Sequence, residues 1–138
     1  MAEQKFRVLI IEDSPTDRQV LTYLLTKRLN CEVETAIDGA EGLKKLSNQC
    51  YSVVFLDMLL PKMDGDTVLA NIRSRTEIAH VPVVITSANG DPQFIRSVLK
   101  MGVYDYILKP YNKVSTIERL AATFERLKTG MKKCGADD

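Results

Sequence analysis

At 138 residues, with 45% hydrophobic and 27% charged side chains, the chain has the length and composition of one globular domain with a real core. Its 19 basic and 18 acidic residues leave a formal net charge of +1, which gives no electrostatic footprint for nucleic acid or an anionic membrane. The opening Met1-Ala-Glu-Gln-Lys-Phe6 lacks the apolar core of a signal peptide, and no apolar run approaches ~18 residues, so a cytoplasmic protein without membrane insertion is expected. Cys31, Cys50 and Cys134 are odd in number and not at metal-ligand spacing, and they read as free thiols in a reducing compartment.

Phe6–Ile11 reads as a first strand, stopped by Glu12 and Asp13. Ser14-Pro15-Thr16-Asp17 then starts a helix: a Ser cap, proline at the first helical position, and acid near the positive helix end. Leu21, Leu24, Leu25 and Leu29 give that helix one apolar face. Glu32–Ile37 alternates weakly as a second strand, closed by Asp38-Gly39, and Leu43 and Leu46 mark a short helix. Val53-Val-Phe-Leu56 is a strand buried on both faces, which implies a parallel sheet, and Asp57 ends it. Pro61, Asp64 and Gly65 turn the chain into a helix carrying Val68, Leu69 and Ile72, with Asp64 and Asp66 as helix-start acids.

Val81–Ile85 is the fourth strand, leading into Thr86-Ser87-Ala88-Asn89-Gly90. Asp91-Pro92 repeats the cap-plus-proline start, Ile95, Val98 and Leu99 face inward, and Gly102 ends that helix. Val103–Leu108 is a fifth strand, stopping at Lys109-Pro110. Ile117, Leu120, Ala121, Phe124 and Leu127 mark the last helix, giving an ordered core over about 6–128 and a mobile tail over 129–138. Glu77, His80 and Asp105 read as ordinary surface residues. Five strand–helix units in strict alternation call for a parallel sheet with helices on both faces and right-handed crossovers.

Parallel strands set all their carboxyl ends on one edge, where ligands of such sheets sit. That edge receives Glu12 and Asp13, then Asp57, then Thr86 or Ser87, then Lys109. Thr86 and Ser87 point to opposite faces, so one of them at most reaches the site. Several carboxylates close together repel one another unless a proton or a cation relieves them, and oxygen donors suit Mg²⁺. A hydroxyl and a lysine beside such a site suggest phosphoryl transfer, with one aspartate as the attacking group.

These pieces together resemble the receiver domain of bacterial two-component response regulators: the acidic pair Glu12-Asp13, Phe55-Leu-Asp57-Met-Leu-Leu-Pro-Lys-Met-Asp-Gly65, Pro82-Val-Val-Ile-Thr-Ser87-Ala88, and Tyr106-Ile-Leu-Lys109-Pro110. The resemblance implies a flavodoxin-like (βα)5 α/β fold with sheet order 2-1-3-4-5, over a chain that is one receiver domain from residue 1 to 138. It implies Asp57 as phosphate acceptor. It implies Mg²⁺, with Mn²⁺ as a substitute, held by Asp13, Asp57 and the backbone carbonyl of Leu59, with Glu12 acting through bound water. Ser87, five positions after Pro82 and before the small Ala88, matches the switch hydroxyl. Lys109 matches the phosphoryl-pairing lysine, with a cis bond to Pro110, and Tyr106 matches the aromatic switch.

The implied protein is a stand-alone signalling module rather than a metabolic enzyme, with self-phosphorylation and self-dephosphorylation chemistry of its own. Its donor would be a sensor histidine kinase or a phosphotransfer protein. Its output would be a downstream protein target met by the fourth helix, fifth strand and fifth helix, with no direct nucleic-acid contact. The assembly expected is a monomer or a weak dimer that forms on phosphorylation. The alternative is a binding module of the same fold that never takes phosphate. Leu59 and Asn89 depart from the polar or charged side chains many relatives carry there, which predicts slow loss of phosphate.

Overall fold

The computed structural model describes residues 5–111 and 114–130. Five strands alternate with five helices: β1 Arg7–Ile11, α1 Pro15–Tyr23 with a π-helical continuation Leu24–Arg28, β2 Glu32–Ala36, α2 Gly39–Asn48, β3 Val53–Asp57, α3 Gly65–Ser74, β4 Val83–Ser87, α4 Pro92–Leu99, β5 Asp105–Leu108 and α5 Val114–Gly130. The strands form one parallel sheet in the order β2-β1-β3-β4-β5. This is the flavodoxin-like arrangement expected.

The alternation of side chains along each strand divides the core in two. On one face Val8, Ile10, Phe55, Val84 and Ile107 pack against Leu21 of α1, Leu25 of its π-helical continuation, and Leu120 and Phe124 of α5. On the other, Leu9, Ile11, Leu56 and Ile85 pack against Leu43 of α2, Leu69 and Ile72 of α3, and Val98 of α4. Every residue of β3 and β4 is buried, as central strands covered on both faces must be. Phe124 meets Phe6 edge-on at 4.9 Å, so Phe124→Ala would open a cavity costing roughly 3–5 kcal/mol.

Four helices start at the carboxyl edge with the same device. Ser14, Asp38, Asp64 and Asp91 each accept a backbone N–H of the first turn, from Asp17, Glu41, Thr67 and Gln93 respectively. Pro15 and Pro92 follow the caps of α1 and α4. Gly65 has a reason beyond the turn: a Cβ there would lie 2.7 Å from Met58 Cα and 2.9 Å from the Asp57 carbonyl oxygen. The start of α3 therefore presses against the backbone that carries Asp57.

Several boundaries and one surface assignment differ from expectation. β4 begins at Val83 rather than Val81, because Pro82 has no N–H to give the ladder, and it extends through Thr86 and Ser87. β5 begins at Asp105 rather than Val103, after Gly102 turns the chain at φ 84°. α5 runs to Gly130, and the tail expected to be mobile falls, from residue 131 on, outside the described residues. Cys31 is a free, buried thiol, but Cys50 is disulfide-bonded, contrary to the expectation of three free thiols; spacing along a chain does not reveal which thiols meet in space.

Asp105 is buried rather than exposed. Its carboxylate accepts from Arg119 at 2.7 Å, Arg126 at 3.2 Å, the Thr123 hydroxyl at 2.6 Å and the Tyr106 amide at 2.8 Å. Burial alone would raise its pKa, but these donors prevail and hold it below the ordinary value. Glu77 and His80 are exposed, as expected.

Candidate functional site

The sheet order sets β1 and β3 side by side at the centre, so their tips bring Glu12, Asp13 and Asp57 into one cluster. One carboxylate oxygen from each lies within 4.8 Å of the other two. Glu12 and Asp57 are 1% and 4% exposed, whereas Asp13 faces solvent. The sequence thus presents two dry acids and one wet one, open on a single side.

Lys109 crosses over β4 from the end of β5 to reach them. Its Nζ lies 2.8 Å from Glu12 Oε1, 3.0 Å from Asp57 Oδ2 and 3.0 Å from Asp17 Oδ2. The other Asp57 oxygen, Oδ1, accepts the Leu59 backbone amide at 3.0 Å. The Leu59 side chain itself stands 77% exposed beside the site. Glu12 Oε2 accepts the Ser14 amide at 3.2 Å, and the Glu12 carbonyl accepts from Arg18 at 2.9 Å.

The charges do not balance. Glu12, Asp17 and Asp57 share one ammonium group with Asp13 close by, and burial with the adjacent Asp57 carboxyl pushes Glu12 up to about 7, against the pull of Lys109. Burial would by itself lower the pKa of Lys109, but Glu12, Asp17 and Asp57 outweigh it and hold the lysine firmly protonated. An all-oxygen donor set with excess negative charge and one solvent-facing carboxylate fits a hard divalent cation, Mg²⁺ or Mn²⁺. Asp13, Asp57 and Glu12 are the side chains that would hold it. Among the described residues no other acids, histidines or cysteines gather in this way.

Ser87 and Tyr106 make their side-chain hydrogen bonds outside this cluster. Thr86, not Ser87, is the register partner of Asp57, and it points to the α1/α5 side, where the buried Tyr111 hydroxyl lies near it with no hydrogen bond of good geometry. Ser87 is buried on the α4 side, and its hydroxyl accepts the Asn89 amide at 3.1 Å. Tyr106 is buried too, with its hydroxyl donating to the Asn89 carbonyl at 2.7 Å and its ring edge-on to Phe94 at 6.4 Å. The Asn89 backbone therefore joins the two residues expected to act as a switch. The Lys109–Pro110 bond is cis, as the resemblance implied.

Sequence reasoning took Asp17 only as a helix-start acid and Asn89 only for its side chain, and missed the contacts both make here. For Asp17 a signal existed: it lies one helical turn beyond Asp13, on a helix that begins at the carboxyl edge. For Asn89 there was none, since its backbone rather than its side chain makes both links.

Residues 8–121 match the family model described as response regulator receiver domain. The Bacillus subtilis probable C4-dicarboxylate response regulator DctR is 34% identical over 139 aligned residues, which cover 100% of this chain and 59% of that protein. The sensor histidine kinase TmoS of Ectopseudomonas mendocina is 34% identical over 106 residues, 77% of this chain and 11% of that one. Among solved structures, the Vibrio cholerae chemotaxis response regulator CheY4 superposes with a TM-score of 0.77 at 27% identity, covering 90% of this chain and 99% of that one. The receiver domain of a Pseudomonas aeruginosa sensor histidine kinase, solved with a magnesium ion coordinated in its active site cleft, gives 0.77 at 25% identity, covering 90% and 98%.

Proposed function

The chain belongs to the response regulator receiver domains, and from that premise we propose that it accepts a phosphoryl group on Asp57 and passes the change to a protein-binding surface. The observation that carries this reading is the position of Asp57: buried at the tip of β3, 3.0 Å from Lys109 Nζ, among acids that a single lysine cannot neutralise. A carboxylate in that setting is held ready as a nucleophile and a cation site at once.

In the transfer, an Asp57 oxygen attacks phosphorus and forms a P–O bond. The donor's bond to phosphorus breaks, and its electron pair leaves with the donor, the imidazole of a phosphohistidine on a sensor kinase or phosphotransfer protein. Lys109 offers an N–H to the charged oxygens of the phosphoryl group, and the Leu59 amide keeps the acceptor carboxylate oriented. Asp13, Asp57, the Leu59 carbonyl and, through water, Glu12 would hold Mg²⁺, which supplies charge neutralisation for the phosphoryl oxygens. Loss of phosphate is the reverse attack by water on phosphorus, with Asp57 as leaving group.

The readout runs through Ser87. A phosphoryl group on Asp57 brings new acceptor oxygens, and the Ser87 hydroxyl is the neighbouring donor able to turn toward them. That turn gives up its bond with the Asn89 amide, and the Asn89 carbonyl is where Tyr106 is anchored. The loop after β4 and the Tyr106 ring therefore shift as one, altering the face formed by α4, β5 and α5. We read the chain as one cytoplasmic receiver acting through protein contact, as a monomer or a dimer formed on phosphorylation. It spans 59% and 11% of the two curated relatives named above, so their remaining activities are not carried over.

The test is incubation with Mg²⁺ and acetyl phosphate or beryllofluoride. A single adduct on Asp57, phosphoryl from acetyl phosphate or fluoroberyllate from beryllofluoride, lost in Asp57→Asn and in the presence of chelator, is the expected result; a chain that stays unmodified overturns the reading. Leu59 cannot hydrogen-bond an attacking water and Asn can, so Leu59→Asn should shorten the lifetime of the adduct severalfold. An unchanged decay rate would remove Leu59 from the account.

A further inference from the structure

Tyr111, between β5 and α5, is 3% exposed, and its ring lies in the core beneath α1 and α5 with Val84, Ile107 and Leu120. Packing there requires the ring but not its hydroxyl, which is buried with no hydrogen-bond partner among the described residues. An orphaned buried donor is costly and calls for an explanation. The candidate partner is Thr86, which is 2% exposed, follows Val84 on the same face of β4 and pairs in register with Ile107. Its hydroxyl lies near the phenol but short of good bonding geometry. Both residues are tied to the groups that would respond to phosphate. Thr86 adjoins Ser87, and its carbonyl accepts the amide of Met58, next to Asp57, at 3.1 Å. Tyr111 lies two residues beyond Lys109, whose own amide donates to the Ser87 carbonyl at 2.8 Å.

We propose that the Tyr111 and Thr86 hydroxyls form a latch, open in the unmodified chain, that closes when Asp57 carries a phosphoryl group, with Tyr111 donating to Thr86. This rests on the reading of Asp57 as acceptor and of Ser87 and Lys109 as the groups that meet the phosphoryl oxygens. When both engage, the end of β4 and the segment after β5 are drawn toward one point. A small displacement then completes a bond that is already nearly made, because hydrogen bonds strengthen steeply with alignment. Tyr111 is thus a positioning residue that steadies Lys109 against the phosphoryl group. It acts on the face of the sheet opposite Ser87 and Tyr106. The closed latch adds a bond to the phosphorylated state alone, so it shifts the population toward that state.

The experiment pairs an NMR titration with beryllofluoride in saturating Mg²⁺ with urea unfolding of the untreated chain, for native protein, Tyr111→Phe, Thr86→Val and the double variant. Tyr111→Phe should bind beryllofluoride about three- to tenfold more weakly, the range of one net hydrogen bond. Its untreated form should unfold at the same urea concentration as native protein or a higher one, because only an unpaired hydroxyl is lost. Thr86→Val should weaken binding similarly, and the double variant should bind no more weakly than either single one. Untreated Tyr111→Phe that unfolds at lower urea marks an ordinary structural bond and overturns the proposal. Native affinity in Tyr111→Phe, or losses that add in the double variant, overturn it too, while leaving Asp57 as acceptor intact. Native protein that takes no beryllofluoride overturns the acceptor reading, and this proposal with it.

Discussion

Two buried aspartates lie at opposite edges of the same sheet, and their surroundings are opposite in sign. Asp105, at the start of β5, is 6% exposed and faces two arginines, a threonine hydroxyl and a backbone amide. Asp57, at the end of β3, is 4% exposed and faces one backbone amide and one lysine that it shares with Glu12 and Asp17. The first is over-supplied with donors, so nothing from outside improves it. The second is under-supplied, and only a cation, a proton or a change in its own charge can complete it. Burial of an acid is thus common to a fastening and a reactive site; the balance of charge around it separates them.

That contrast can be broken in three ways. The largest effect is expected at the fastening: Asp105→Ala removes the acceptor of two arginines and of the Tyr106 amide and should cost on the order of 2–3 kcal/mol in urea unfolding. A loss under about 0.5 kcal/mol, the range of a neutral surface change, would mean the cluster holds nothing.

Next comes pH. Glu12 is raised from 4.5 to about 7 in the folded chain, so with divalent metal chelated the unfolded state loses its proton first, and stability should fall as pH rises from about 4.5 to 7. The fall should be on the order of 2 kcal/mol and disappear in Glu12→Gln. Asp105 is held below its ordinary 3.8, so its contribution is present above that value and is lost as pH falls through its folded pKa. Slopes of the same sign for the two acids would erase the distinction.

The smallest effect is at the wet acid. Asp13→Asn relieves like-charge repulsion and should stabilise the metal-free chain by about 0.5–1 kcal/mol while abolishing the further stabilisation that Mg²⁺ confers. If Mg²⁺ protected Asp13→Asn as well as the native chain, Asp13 would not be part of the cation site.

Much of this was legible in the residues. The two periodicities gave the strand and helix order, and sheet topology then carried Glu12, Asp13, Asp57 and Lys109 to one edge without any further information. What escaped needed facts about space. Asp105 alternates with Ile107 and faces α5, where Arg119, Thr123 and Arg126 recur at helical spacing; its polar character hid a core position. Pro82 reads as part of an apolar run, yet the hydrogen-bond ladder, not hydropathy, decides where β4 starts. Ser87 was separated from Thr86 by resemblance, and the structure assigns them to different faces. The link from Ser87 to Tyr106 passes through backbone atoms that every residue possesses, so no side-chain pattern could announce it.

Lys109 lies late in the chain and bridges above β4 to strands made much earlier. During synthesis the acids of β1 and β3 would emerge from the ribosome well before the ammonium group that meets them. A nascent chain ending short of β5 therefore carries these acids without the Lys109 ammonium that pairs them in the folded domain.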